Sequence, residues 1–130
     1  TAALTAALES TRIIEDENLL DNSVTVGAYL NEQLATLGKY DNVGDVRGKG
    51  LFAGIEFVRD KATKAPISED QMAQLMGNMM AQNVIVGRTN SSFHGLNNIM
   101  NFAPCLIITK EQVDAIVAAV ATAIEKTFKS

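Results

Sequence analysis

Apolar positions recur at helical spacing in four stretches of the chain and alternate in a fifth. Leu4 and Leu8, followed by Ile13 and Ile14, define one face of a first helix. The acidic turn Glu15-Asp16-Glu17-Asn18 interrupts it. Leu19, Val26, Leu30, Leu34 and Leu37 carry a second helix. Gly38 is expected to stop that helix, since glycine takes a left-handed conformation at little cost. Val43 to Gly50 holds three glycines in eight residues and reads as a short strand and a turn. From Leu51 to Val58 the period changes to two, which predicts a strand. Lys61 to Ile67 reads as a loop.

Ser68-Glu69-Asp70-Gln71 has the form of a capping box, with Ser68 as N-cap and Gln71 three residues on. The helix it opens carries Met72, Leu75, Met76, Met79 and Met80. Val84-Ile85-Val86 is expected to be a short buried strand, and Ile99 to Phe102 another, broken by Pro104. Thr109-Lys110-Glu111-Gln112 repeats the capping logic. The final helix then places Val113, Ile116, Val117, Val120, Ile124 and Phe128 on one face. This order of elements predicts an α+β fold, a small mixed and largely antiparallel sheet with helices on one side. There is no internal repeat.

Length and charge narrow the function. A chain of 130 residues makes one domain, long enough to bury roughly two thirds of its unfolded surface without disulfides. Its 11 basic residues face 15 acidic ones, a net charge of −4, which argues against nucleic acid and anionic membranes. No apolar stretch approaches the ~20 residues of a membrane span. Thr1 to Ser10 lacks the pattern of a secretory signal, and the lone Cys105 fits a reducing, cytoplasmic setting. The chain opens without methionine and already in helical periodicity, so it is expected to be a piece of something longer.

Candidate chemistry is sparse. Gly48-Lys49-Gly50 with Gly54 superficially resembles a phosphate-binding loop. A strand follows these glycines, however, where a phosphate site needs a helix, so a tight turn is the better reading. Met72, Met76, Met79 and Met80 read as core or interface before they read as a soft binding groove. His94 is the only histidine and has no second ligand at metal spacing. Cys105 has no basic neighbour to stabilise a thiolate and is expected to be buried and inert. Arg88 stands out. It ends the Val84-Ile85-Val86-Gly87 run beside a polar loop, and its planar fork suits a carboxylate.

The stretch Val43-Gly44-Asp45-Val46-Arg47-Gly48-Lys49-Gly50-Leu51-Phe52-Ala53-Gly54-Ile55-Glu56 resembles the start of the C-terminal small domain of class III aminotransferases. These are fold-type-I enzymes that depend on pyridoxal 5′-phosphate (PLP). Ala2 to Asn18 resembles the long helical segment after their catalytic-lysine region. Phe102-Ala103-Pro104-Cys105-Leu106-Ile107-Ile108-Thr109 resembles their entry to the final helix, although Cys105 replaces a frequent second proline. The resemblance implies a helical lead-in over residues 1–38 and the small domain over residues 39–130. It also implies a homodimer and a large PLP domain upstream that holds the cofactor lysine. No catalytic, cofactor-binding or metal residue is then expected here, and no PLP bound by this chain alone. Lys49 does not match the family's cofactor lysine.

Two arginine positions matter in this family. The ornithine and acetylornithine branch carries an arginine just before Phe-Ala-Pro, where this chain has Asn101. The branch that passes amino groups from amines or ω-amino acids to pyruvate, taurine–pyruvate aminotransferases included, places its arginine near Arg88. The text around Arg88 and Gly95-Leu96-Asn97-Asn98 is most similar to that branch. The resemblance therefore implies ping-pong transamination, with Arg88 binding the substrate carboxylate. A rival reading from the residues alone is a standalone, non-catalytic α+β interaction module, with the methionine helix and the first two helices as partner surfaces.

Overall fold

The computed structural model describes residues 1–89 and 96–128. The elements are α1 (Ala2–Asp16), α2 (Leu19–Ala35), a 3-10 turn (Thr36–Lys39), β1 (Val43–Lys49), β2 (Phe52–Asp60), β3 (Ala65–Pro66), α3 (Glu69–Met80), β4 (Gly87–Arg88), β5 (Ile99–Phe102) and α4 (Lys110–Phe128). The strands run in the order β1-β2-β5-β4, with β3 paired to the far end of β2. Every pairing among the described residues is antiparallel. The α+β class, with a small antiparallel sheet and helices on one side, is as expected.

The alternation in β2 separates the two faces of the sheet. Ala53, Ile55 and Phe57 are buried, and Met100 and Phe102 of β5 stand beside Ile55 and Ala53 on the same face. Leu30 and Leu34 of α2, Leu75 and Met79 of α3, and Val113 and Val120 of α4 cover that face with side chains fully removed from water. The opposite face carries Arg47, Phe52, Gly54, Glu56 and Asn101, and Phe52 is 66% exposed. Asn98 extends the β2–β5 pairing by one step. Its amide donates to the Phe57 carbonyl at 2.7 Å, and its own carbonyl accepts from Phe57 N at 2.8 Å.

Both capping boxes form. Ser68 Oγ accepts from Gln71 N at 3.2 Å and Gln71 Oε1 accepts from Ser68 N at 3.1 Å. Thr109 and Gln112 make the same reciprocal pair at 3.3 and 3.0 Å. The glycine stretch is the β1–β2 hairpin. Lys49 pairs with Phe52 across the two-residue turn Gly50-Leu51, and Gly50 has φ +57°. A positive φ at the first turn position is what a tight hairpin asks for and what glycine supplies.

Four local expectations need correction. Gly38 does not end α2 in a left-handed conformation; the helix tightens into a 3-10 turn, and the Gly38 carbonyl accepts from Lys61 Nζ at 2.8 Å. The loop after β2 contains β3, because Asp60 Oδ1 accepts from Ala62 N and Thr63 N, both at 2.8 Å, and folds the chain back. Val84-Ile85-Val86 is not a buried strand. Val84 and Val86 rest against the core, but Ile85 is 86% exposed and pairing starts only at Gly87. Left-handed Asn83, φ 60°, turns the chain off α3 just before this segment. Cys105 is exposed, not buried, in the turn closed by Ile108 N on the Cys105 carbonyl at 3.1 Å.

Candidate functional site

Arg88 lies at the end of edge strand β4, directly opposite Met100. Met100 is fully buried under the helices, so Arg88 leaves the sheet on the helix-covered side. From there its Nη1 reaches Glu69 Oε2 at 3.5 Å. Glu69 is the first residue of α3, placed there by the Ser68 cap. Its other oxygen, Oε1, accepts from Asn97 Nδ2 at 2.6 Å. Arg88 and Glu69 side chains are 38% and 50% exposed. The pair is thus open to solvent, and an ion pair in this setting is worth at most about 1 kcal/mol.

Asn101 lies elsewhere. It pairs with Gly54 on one side and Gly87 on the other, so a row of glycine, asparagine and glycine crosses the open face. A shallow pocket of about 330 Å³ opens over this row, lined by Arg47, Phe52, Thr89, Ile99 and Asn101 among others. Arg47, opposite Gly54, is held by Asp45 at 2.6 Å and by Glu56 at 3.1 Å. Those hydrogen bonds, Asp45 first and both made by Nη1, push its pKa further up. The two positions that the family resemblance singled out, 88 and 101, therefore sit on opposite faces of the sheet.

The remaining candidates take structural places. Met72 and Met79 are buried core, Met76 packs against it, and Met80 is 65% exposed. His94 lies outside the described residues. No cluster of metal-ligating side chains occurs among the described residues. No described helix is long and apolar enough to cross a membrane.

A PLP site can be tested on the lysines. A lysine that holds this cofactor needs a desolvated pocket to lose its proton near neutral pH. Every described lysine is exposed. Lys61 and Lys64 are spent on the carbonyls of Gly38 and Gly44, and Lys39 and Lys110 lie over tyrosine rings. Lys49 stands in the hairpin. The described residues do not form a PLP-holding site.

Pattern reading missed Glu69 as the partner of Arg88 and Asn97 as the partner of Glu69. The capping box does place Glu69 in a helix's first turn. Nothing local indicates that β4 ends beside that turn, since this depends on the β4–β5 register.

Known proteins share this sequence and fold. The family model "Aminotransferase class-III" matches residues 1–124. The chain is 44% identical over 129 residues to a hypotaurine/taurine–pyruvate aminotransferase of Paracoccus denitrificans, covering 98% of this chain and 28% of that protein. It is equally 44% identical to a taurine–pyruvate aminotransferase of Bilophila wadsworthia, of which it covers 29%. Among solved structures, a Bacillus anthracis aminotransferase superposes with a TM-score of 0.89 at 41% identity, over 92% of this chain and 27% of that one. The chain thus spans under a third of the length of the relatives it matches. With the family model matched over residues 1–124, the chain belongs to the class III aminotransferase family.

Proposed function

We propose that this chain is the C-terminal part of a PLP-dependent aminotransferase that moves an amino group from an ω-amino acid or amine to pyruvate. The observation that carries this reading is the 44% identity, over 98% of the chain, to two enzymes named for taurine and pyruvate. In the full-length enzyme, residues 1–38 lead from the large domain and residues 39–130 form the small domain. PLP, when bound, supplies the electron sink for moving the amino group. Because no described lysine suits it, its holding lysine belongs to the large domain, and this chain alone is inactive. The full-length enzyme is proposed to be a cytoplasmic homodimer, a setting in keeping with the unpaired Cys105.

In this reading Arg88 binds the carboxylate of pyruvate. Its support is chemical and positional. The planar guanidinium fork suits a carboxylate, and the side chain stays 38% exposed at the end of an edge strand. Asn101 offers no charge on the other face. The test is kinetic, in the full-length enzyme with taurine or another amine as donor. Arg88→Ala should raise the Michaelis constant for pyruvate at least tenfold, as expected for losing a charge-assisted contact. The constant for a donor without a carboxylate should change far less. Equal change for both substrates would remove the role.

A further inference from the structure

We propose that the pocket on the open face of the sheet binds the sulfonate group of the amino donor, and that the Thr89 hydroxyl selects for it. The inference rests on the ω-amino acid reading above. Its own observation is Thr89 Oγ1, which is buried beside that pocket with no hydrogen-bond partner among the described residues. A buried hydroxyl left unpaired is costly, and native structures keep few of them.

The register builds the pocket. Thr89 N donates to the Ile99 carbonyl at 3.0 Å, which carries the β4–β5 pairing one step past Arg88. Strand alternation then places Thr89 on the face of Asn101, away from the Arg88 side. The floor is Gly54, which stands between Arg47 and Asn101 in the register and has no side chain to fill the space. Two strand spacings, roughly 10 Å, separate those two residues. Phe52 and Ile99 supply apolar walls. A glycine inside a strand marks a place where another group comes close to the backbone. The volume of about 330 Å³, apolar with a few placed polar groups, is that of a small-molecule site.

The ligand class follows from charge. Around the pocket Arg47 and Lys49 stand against Asp45 and Glu56, and Arg47 Nη1 is bonded to both carboxylates. The pocket therefore has no net positive charge to offer. Its donors are a hydroxyl and an amide, Thr89 Oγ1 and Asn101 Nδ2. A carboxylate holds its charge on two basic oxygens and is best met by an arginine fork. A sulfonate spreads its charge over three weakly basic oxygens, which neutral donors can hold. The acceptor's carboxylate and the donor's sulfonate are then read by neighbouring residues, Arg88 and Thr89, on opposite faces of one strand end. A plain amine uses only the apolar walls.

The experiment compares Thr89→Val and Thr89→Ser with the parent in the full-length enzyme. Valine keeps the shape and removes the hydroxyl; serine keeps the hydroxyl. The donors are taurine and propylamine, with pyruvate as acceptor. The inhibitor is 2-hydroxyethanesulfonate, which has the sulfonate but no amino group to react. Thr89→Val should raise the Michaelis constant for taurine and the inhibition constant of 2-hydroxyethanesulfonate alike, by about tenfold, the loss of one hydrogen bond to a charged group. The constants for propylamine and pyruvate should hold, and Thr89→Ser should stay within about twofold of the parent for every substrate. If Thr89→Val leaves taurine and the inhibitor unchanged, the sulfonate site is wrong, and the aminotransferase reading stands. The same holds if the parent moves amino groups from amines to pyruvate but binds no sulfonate. If the parent passes no amino group to pyruvate from any donor, that reading fails and the sulfonate site with it. A rise shared by taurine, propylamine and pyruvate marks a merely structural Thr89 and also overturns the proposal.

Discussion

Gly27 and Gly50 set how closely the hairpin seats on α2. A Cβ at Gly27 would lie 2.6 Å from Gly50 Cα and overlap its backbone. Asn31 closes the contact, its Nδ2 donating to the Gly27 carbonyl at 2.7 Å and the Gly50 carbonyl at 2.9 Å. Two opposed effects decide what Gly27→Ala does. Alanine gains roughly 0.5–1 kcal/mol of helix propensity. Against this, the overlap meets backbone, which cannot move aside as a side chain can, and overpacking costs about 1–3 kcal/mol. The steric term wins, and the thermal midpoint should fall by about 4 °C or more. A midpoint unchanged or raised would mean that the hairpin does not seat on α2. Gly50 was legible as a turn residue from its neighbours in the chain. Gly27 was not, because the atom that forbids its side chain comes from 23 residues away.

Two tyrosines latch the helical layer. Tyr29 OH donates to Asp114 Oδ1 at 2.7 Å, and Lys110 Nζ sits 5.1 Å from the ring centroid. Tyr40 OH donates to Glu125 Oε1 at 3.0 Å, with Lys39 Nζ 5.3 Å from its ring. Each latch ties a position in or just after α2 to α4. The hydrogen bond to Asp114 pushes the Tyr29 phenol up, and burial followed by Glu125 does the same for Tyr40. A raised folded-state pKa means stabilisation that is complete below the ordinary tyrosine range and is lost as pH rises through the raised values. Tyr29→Phe/Tyr40→Phe should therefore melt below the parent at pH 7. The gap should close as pH passes about 10 and upward. Melting curves at several pH values check this, and a gap that widens in alkali would contradict it. The helices themselves were readable from periodicity and caps, both of which are local. β3 was not readable, because two residues carry no period and only the Asp60 turn brings them back to β2.

At the scale of the whole molecule, the core lies between the sheet and α2, α3 and α4, and α1 stays outside it. No α1 residue is buried, and Leu4, Leu8 and Ile13 are 76%, 54% and 44% exposed. A chain that starts at Asn18 should keep its cooperative transition, with a midpoint within a few degrees of the parent. Calorimetry of the shortened chain measures this. Loss of the transition would show that α1 supports the core.

The fold class, the two capped helices and the hairpin were all present in the order of residues. Each rests on short-range physics: hydrophobic period, side-chain capping and the turn demands of glycine. The surroundings of Arg88 are of another kind. Strand register sets it beside Met100 and Asn101 beside Gly87. A step of one residue reverses the face of a strand, so two neighbouring positions with the same apparent purpose point to opposite sides. The same register brings Arg88 to the start of α3, within reach of Glu69. That meeting depends on how helix and strand pack, which no local pattern encodes.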